Sequence, residues 1–107
     1  MDERFEHQVT LLHATICQAM ADPVRILIVY ALSERPMYVH ELAEALQKPQ
    51  STVSRHLKTL RDTRVVLAER DGTSVKYSLA DARVVDALNI MRGVLRDMLS
   101  RDADLVC

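Results

Sequence analysis

The amino-acid sequence predicts a mostly α-helical fold with one small β-hairpin. In several segments apolar residues recur every three or four positions, which is the spacing of one face of an α-helix. Two short alternating segments meet at Asp71-Gly72, which is a typical sequence for a tight hairpin turn. The 107 residues suit a single domain, and they contain no internal repeat.

The composition is that of an ordinary soluble domain, with 49% apolar and 27% charged residues. No run approaches the roughly 20 apolar residues that a membrane span needs, so we expect no membrane partner. The acidic start, Met-Asp-Glu-Arg, has no signal-peptide pattern, and we expect a cytoplasmic protein. Two cysteines, Cys17 and Cys107, are too few for a disulfide scaffold.

The first two helices are predicted from apolar spacing and a capping signal. Residues 4–20 form the first predicted helix, because its apolar positions are spaced 4, 3, 4 and 4 residues apart, at Phe5, Val9, Leu12, Ile16 and Met20. Asp22 can cap the next helix, and Pro23 suits its first position. The run 24–32 is apolar on nearly every side apart from Arg25, which predicts a helix at the centre of the core.

A helix-turn-helix is predicted next. A short helix near 39–46 is followed by a turn at 47–49 and by a second helix over 50–60. The second helix has an apolar stripe at Val53, Leu57 and Leu60. Its remaining surface carries short polar groups and long cations, at Gln50, Ser51, Thr52, Ser54, Arg55 and Lys58. Such side chains suit contacts with phosphates and base edges in the major groove of double-stranded DNA.

This stretch alone is equally compatible with a solvated amphipathic helix, and the charge distribution supports the DNA-binding interpretation. Residues 48–76 carry seven Lys and Arg against three acidic residues, a net charge of +4, whereas residues 1–47 carry −4. His56 adjoins the apolar stripe, where it contacts a phosphate or forms a hydrogen bond beneath the helix. We include it among the candidate DNA-binding residues.

Two predicted strands, 65–70 and 73–79, would form a wing beside the second helix, with Asp71-Gly72 as a type I′ turn. Arg70, Thr73 and Lys76 lie next to this turn and are the candidate wing contacts with DNA. The elements together predict a winged helix-turn-helix of the order α-α-α-α-β-β-α.

The last predicted helix spans about 81–101 and carries a heptad seam of apolar residues, at Val84, Leu88, Met91, Leu95 and Met98. The predicted domain covers residues 1–107, and its first and last helices form the dimer interface, to which Val9, Leu12 and Ile16 also contribute. The alternative is that the stripe packs within one chain. A two-fold dimer would place two reading helices about 34 Å apart, one turn of DNA.

The chain resembles the ArsR/SmtB family of winged-helix repressors. The matching segments are Ala-Asp-Pro-Val-Arg-Ile-Leu at 21–27, Glu-Leu-Ala-Glu-Ala-Leu at 41–46, Gln-Ser-Thr-Val-Ser-Arg-His-Leu at 50–57 and the wing from 70 to 79. The resemblance implies a homodimer that binds an operator and represses until an effector lowers its DNA affinity. Effectors in the family are metals, arsenite, persulfides or oxidants, and some members have no known ligand.

The chain departs from the known sensing subgroups of that family. Tyr38 and His40 occupy the positions at which one subgroup has metal-binding cysteines. Thr59 and Thr63 lie near the positions at which a second subgroup has cysteines. Tyr30 occupies the position of the cysteine in the second helix of the persulfide sensors. The last helix has no His, so the zinc site of that helix is incomplete. The turn of the helix-turn-helix also has Gln47-Lys48 in place of the usual Gly and apolar residue.

The candidate sensing residues are Cys17, Cys107 and His13. The resemblance brings the first and last helices together, which would allow a disulfide, a soft-metal site or an arsenite site between the two thiols. His13 lies one turn before Cys17, where an imidazole can act as a second ligand. Alternatively Cys17 is a small core residue. The sequence requires no cofactor, and the metal remains unknown.

No arrangement of residues indicates an enzyme. There is no glycine-rich phosphate loop, because the chain has two Gly, and there is no nucleophile elbow or pair of acids in an apolar setting. The predicted function is a homodimeric DNA-binding repressor that an effector releases. The alternatives are a winged-helix protein-interaction module that binds no DNA, and a repressor with no small-molecule effector.

Overall fold

The computed structural model describes residues 1–106, and the side chains of residues 1–103. Cys107 lies outside the described residues. A π-helical turn follows the first helix at His13–Cys17. The order of the other elements is α1 (Glu3–Leu12), α2 (Pro23–Glu34), β1 (Met37–Tyr38), α3 (Val39–Leu46), α4 (Gln50–Asp62), β2 (Val66–Asp71), β3 (Ser74–Leu79) and α5 (Arg83–Val106). The prediction of a mostly helical fold with a small antiparallel sheet is confirmed.

The π-helical turn extends α1 instead of ending it. The backbone N–H of Gln18 donates to the carbonyl of His13, five residues back, so this turn holds one residue more than an α-helical turn. Leu12, Ile16 and Met20 are four residues apart in sequence, and all three line the same groove beside α5. The wider turn thus suits the four-residue spacing that the sequence shows here.

Helix α2 begins where its capping signal predicts and forms the centre of the core. The Asp22 carboxylate accepts a hydrogen bond of 2.8 Å from the Val24 N–H, and this bond is the main reason that the pKa of Asp22 is lowered. Ile28 and Val29 are fully buried. The helix is not buried on every side, however, since Leu27 is 49% exposed.

One continuous hydrophobic core joins α2 to the helix-turn-helix and the sheet. Its fully buried members on α3 and α4 are Leu42, Val53, Leu57 and Leu60, and β2 adds Val66. The predicted apolar stripe of α4 is therefore confirmed as the side that faces the core. Each such side chain contributes on the order of 1.5–3 kcal/mol when it leaves water.

Both helices of the helix-turn-helix end in a left-handed residue that is not glycine. Gln47 has φ = 55° and Arg64 has φ = 65°. After α3 the Lys48 N–H donates to the carbonyl of Ala43 at 3.1 Å, and after α4 the Val65 N–H donates to that of Leu60 at 2.9 Å. These are Schellman turns, which satisfy the last carbonyls of a helix at the expense of backbone strain in a residue with a Cβ.

The start of α3, for which the sequence offers no evident cap, is held from inside the helix. The Glu41 carboxylate accepts the backbone N–H of Tyr38 at 3.0 Å and also pairs with Arg35 at 2.9 Å. These two interactions lower the pKa of Glu41, the backbone hydrogen bond most of all.

The sheet has three antiparallel strands in the order β1-β3-β2, of which β1 was not predicted. Strand β1 has two residues and pairs with β3, with Met37 opposite Tyr77 and Tyr38 opposite Lys76. The hairpin turn also differs from its prediction. Asp71 pairs with Ser74, so the two loop residues are Gly72 and Thr73. Gly72 has φ = 63° while Thr73 has no positive φ, which fits a type II′ turn and excludes type I′.

The two terminal helices project from the core. Helix α1 has no buried residue, and most of the apolar side chains of α5 are about half exposed. The radius of gyration of 16.4 Å exceeds the roughly 13 Å expected for a compact domain of this length. In the part of the chain that is described, no helix combines the length and the apolarity that crossing a membrane requires.

Candidate nucleic-acid interface

Helix α4 presents two faces of opposite character. Its buried face consists of Val53, His56, Leu57 and Leu60. The candidate DNA-binding residues on the outer face are exposed, except that Thr52 is partly buried; the exposed ones are Gln50, Ser51, Ser54, Arg55 and Lys58. No acidic residue stands in the first turn of this helix, where its macrodipole favours an anion. The outer face is thus polar, cationic and accessible, and it suits a polyanion.

His56 belongs to the buried face, and its inclusion among the DNA-binding residues was wrong. The residue is 9% exposed, and its Nδ1 lies 3.1 Å from Nη1 of Arg25. Because a guanidinium can only donate, Nδ1 is the acceptor in this hydrogen bond. Nε2 points towards the Asp22 carboxylate at 3.9 Å, beyond hydrogen-bond distance. Of the two alternatives for His56, the hydrogen bond beneath the helix is the correct one.

Arg25 makes hydrogen bonds that the sequence does not predict. It is the one charge in an otherwise apolar run, and that isolation is the signal that could have identified it. Its Nε donates to the carbonyl of Ala19 at 2.8 Å, and its Nη2 donates to that of Gln18 at 3.1 Å. One guanidinium therefore joins the end of the first helix to the inner face of α4.

The two cations among the candidate DNA-binding residues of α4 differ in their surroundings. Lys58 forms an i,i+4 ion pair with Asp62 at 2.8 Å, which is the main cause of the lowered pKa of Asp62. Arg55 makes no ion pair with any side chain that the structure describes. A phosphate or base would have to compete with Asp62 for Lys58, whereas Arg55 needs to break no ion pair.

The wing exposes its three candidate residues, but they do not form a single contact surface. Thr73 lies in the loop, and Arg70 and Lys76 are exposed on β2 and β3. Lys76 pairs directly with Glu69, the residue before Arg70, so the Lys76 and Arg70 side chains point to opposite faces of the hairpin. Arg70 and Lys76 could therefore contact a nucleic acid only from opposite faces of the hairpin.

A polar cluster beside the wing tip includes Lys76. The Tyr38 hydroxyl donates a hydrogen bond to the Asp71 carboxylate, which raises the pKa of Tyr38. Nζ of Lys76 lies 5.3 Å from the centre of the Tyr38 ring, within cation–π range. The His40 ring stacks on the same Tyr38 ring, with 5.7 Å between ring centroids. Tyr38 thus connects β1, the wing tip and a candidate DNA contact.

Two of the candidate sensing residues, His13 and Cys17, lie in the π-helical turn that follows α1. Both His13 and Cys17 are exposed, at the first and last positions of the π-helical turn, so Cys17 is not a core residue. Cys107 falls outside the described residues. Among the side chains of residues 1–103, no three His, Cys, Asp or Glu groups lie together so that they could hold a metal ion.

A groove of about 380 Å³ between the first helix and α5 is lined mainly by apolar side chains. Of the predicted dimer-interface residues, those that are 39–56% exposed are Val9, Leu12, Ile16, Met91, Leu95 and Met98. Leu88 was predicted to lie in the dimer interface, but it is 5% exposed and belongs to the core of its own chain. Val84 is partly buried against the same core. Both lie in the part of α5 nearest the core, which explains why the heptad pattern continues into it.

The fold and this surface together define a winged helix-turn-helix regulator. The chain belongs to the ArsR family: residues 22–67 match the family model described as bacterial regulatory protein, arsR family. It is 37% identical to the HTH-type transcriptional regulator CmtR of Mycobacterium bovis over 94 residues, 88% of this chain and 77% of that protein. This family comprises transcriptional regulators rather than enzymes, as the sequence predicts.

Two further comparisons agree with that assignment. The chain is 52% identical over 66 residues to the HTH-type transcriptional repressor SmtB of Mycobacterium tuberculosis, covering 62% of this chain and about half, 49%, of that protein. The fold matches a homodimeric winged helix-turn-helix DNA-binding domain from Mycobacterium bovis with a TM-score of 0.77 and 24% identity, over 94% of this chain and 93% of that one.

Proposed function

We propose that this chain is a homodimeric repressor that reads operator DNA with α4 and its wing. The outer face of α4 carries the proposal, because an exposed, acid-poor, cationic surface is built on a helix whose other side is firmly buried. The proposed major-groove contacts are Gln50, Ser51, Thr52, Ser54, Arg55 and Lys58, and the proposed wing contacts are Arg70, Thr73 and Lys76.

Dimer formation through α1 and α5 is part of the same proposal. Six large apolar side chains of these helices are about half exposed and surround one groove or continue from it. A second copy of the chain would cover them, and the domain from Mycobacterium bovis with the same fold is itself homodimeric. The two-fold symmetry would place the two α4 helices in successive major grooves on one side of the duplex.

Salt dependence of DNA binding tests the proposal. We expect the chain to select a duplex with two half-sites from a randomised pool, and its affinity for that duplex to fall steeply as salt rises, because bound cations displace condensed counterions. The slope of log K against log [salt] would be on the order of −4 or steeper for five or more phosphate contacts. Failure to retain any duplex at low salt would favour the protein-interaction module and contradict the repressor.

We further propose that a thiol-reactive effector acts at Cys17. This thiol is exposed on the same helix that contributes to the proposed dimer interface, so that its modification would disturb the pairing of the two chains. Arsenite, persulfides and oxidants are suitable classes. Among the described side chains of one chain no three potential metal ligands are grouped, so a soft metal would need Cys107 or ligands from a second copy.

The Cys17→Ser variant tests the effector proposal. We expect arsenite or hydrogen peroxide to weaken DNA binding by the wild-type chain, and the variant to bind DNA equally well with and without these agents. Fluorescence anisotropy with the selected duplex would measure both affinities. If the agents leave wild-type binding unchanged, the thiol has no sensing role and the repressor without a small-molecule effector is favoured.

A further inference from the structure

We propose that Arg25 is a positioning residue that holds α4 at a fixed place relative to the first helix, and thereby sets the distance between the two reading helices on DNA. This inference rests on the proposed function, since it concerns a dimer that binds two half-sites. Arg25 itself lies beneath α4 and is not among the proposed DNA contacts.

Three donors of one guanidinium carry the proposal. Two of them bond to the Gln18 and Ala19 carbonyls, at the C-terminal end of the first helix, where the helix dipole favours a cation. The third bonds to Nδ1 of His56, in the middle of α4. The donors of a guanidinium have a rigid planar arrangement, so these bonds fix an angle as well as a distance.

Few other contacts fix the first helix relative to the core. Its segment from Glu3 to Leu12 has no buried residue, and at its far end Ala19 is fully buried. The bonds from Arg25 lie beside Ala19, at the point where the helix leaves the core. They are therefore well placed to determine the direction in which the rest of the helix projects.

The same helix carries Val9, Leu12 and Ile16 of the proposed dimer interface. A short path thus leads from the interface through Arg25 and His56 to the reading face of α4. In a two-fold dimer any change in the angle between the first helix and α4 is repeated in both copies and changes the separation of the reading helices. Loss of the Arg25 bonds should therefore reduce discrimination between half-site spacings.

A spacing series tests this expectation. The duplex selected by the wild-type chain is altered so that its half-sites move together or apart in single base-pair steps, and affinity is measured by fluorescence anisotropy. We expect the wild type to show a sharp optimum. Arg25→Lys keeps the charge but not the three-way bonding, and we expect about tenfold weaker binding at the optimum with little change at neighbouring spacings.

Arg35→Lys is the matched control, because Arg35 lies just after the other end of α2 and has an exposed guanidinium paired with Glu41. We expect it to keep the wild-type profile. A second pair of variants addresses the acceptor. His56→Asn keeps an acceptor near the position of Nδ1 and should retain the sharp optimum, whereas His56→Leu removes it and should flatten the profile as Arg25→Lys does.

Three results would overturn the inference. The first is a wild-type spacing optimum in both Arg25→Lys and His56→Leu. The second is a loss of affinity in Arg25→Lys that is equal at every half-site spacing. The third is a His56→Asn variant that loses the spacing optimum as completely as His56→Leu does. An equal loss together with a lower thermal unfolding midpoint would make Arg25 a residue of general stability. If the wild-type chain selects no duplex at all, the proposed function itself fails instead.

Discussion

Helix α4 and the terminal helices α1 and α5 are all amphipathic, but they use their apolar faces differently. Helix α4 buries Val53, Leu57 and Leu60 in its own chain and leaves a polar, cationic face in solvent. Helices α1 and α5 leave their apolar faces in solvent, with Leu12 at 46% and Leu95 at 52% exposure. One surface is suited to a polyanion and the other to an apolar partner, so the proposed DNA-reading face and the proposed pairing face lie on different helices.

The largest expected effect comes from damaging the buried side of α4. Leu57→Ala should lower the free energy of unfolding by about 2–5 kcal/mol, because it removes a fully buried side chain and leaves a cavity beneath the helix. Urea denaturation would measure it. Ser54→Ala, on the exposed side of the same helix, is the control and should change stability by less than about 0.5 kcal/mol. Equal effects would mean that α4 does not pack as described.

A charge on the terminal helices should affect assembly rather than folding. Leu95→Glu places a carboxylate in the middle of the apolar face of α5, and the two-fold axis repeats it in the second chain. We expect the dimer to weaken by at least about 2 kcal/mol, or roughly 30-fold in dissociation constant. Sedimentation equilibrium would measure this.

Leu27→Glu is the control for that prediction, since Leu27 is about as exposed but lies on α2. We expect it to leave the dimer intact. A dimer that is lost in the Leu27 variant and kept in the Leu95 variant would place the interface on α2 and contradict the proposal for α1 and α5.

The smallest of the three effects concerns the outer face of α4. Arg55→Ala should weaken binding to the selected duplex by about 1–3 kcal/mol if Arg55 reads a base, and should affect random DNA less. Lys58→Ala should weaken both equally and reduce the salt slope by about 1, because a lysine that contacts a phosphate displaces one counterion whatever the base sequence. Arg4→Ala, an exposed cation on α1, is the control. Equal losses on both duplexes for Arg55→Ala would make Arg55 a phosphate contact.

Local patterns predicted the elements whose determinants lie within a few residues. Asp22-Pro23 starts α2, and the spacing of Val53, Leu57 and Leu60 identifies the inner face of α4. The wing follows from the alternation of Val75, Tyr77 and Leu79. In these cases capping chemistry and periodicity are sufficient, because neighbours along the chain determine the conformation.

The remaining features depend on contacts between distant residues. His56 meets Arg25 across 31 positions, and no spacing within α4 distinguishes a histidine that reaches phosphate from one that reaches α2. Strand β1 has two residues and exists because β3 supplies its partners. The left-handed Gln47 and Arg64 carry no glycine signal, since their turns are fixed by hydrogen bonds back to the preceding helix.

The hairpin shows how one residue changes a turn. Asp71-Gly72 suggests type I′, in which both loop residues have positive φ. The register places Gly72 and Thr73 in the loop, and a β-branched Thr strongly disfavours positive φ. Asp71 instead remains in β2, where its carboxylate accepts the hydrogen bond from Tyr38 that ties the wing to β1.

The stoichiometry of the DNA complex tests the central claim most directly, because it depends on both surfaces at once. Sedimentation velocity of the chain with the selected duplex would measure the mass of the complex. The separation of a DNA-reading face on α4 from a pairing face on α1 and α5 predicts two chains on each duplex. A complex that saturates at one chain per duplex, with the same affinity as the chain shows for the selected duplex, would contradict this separation of the two faces.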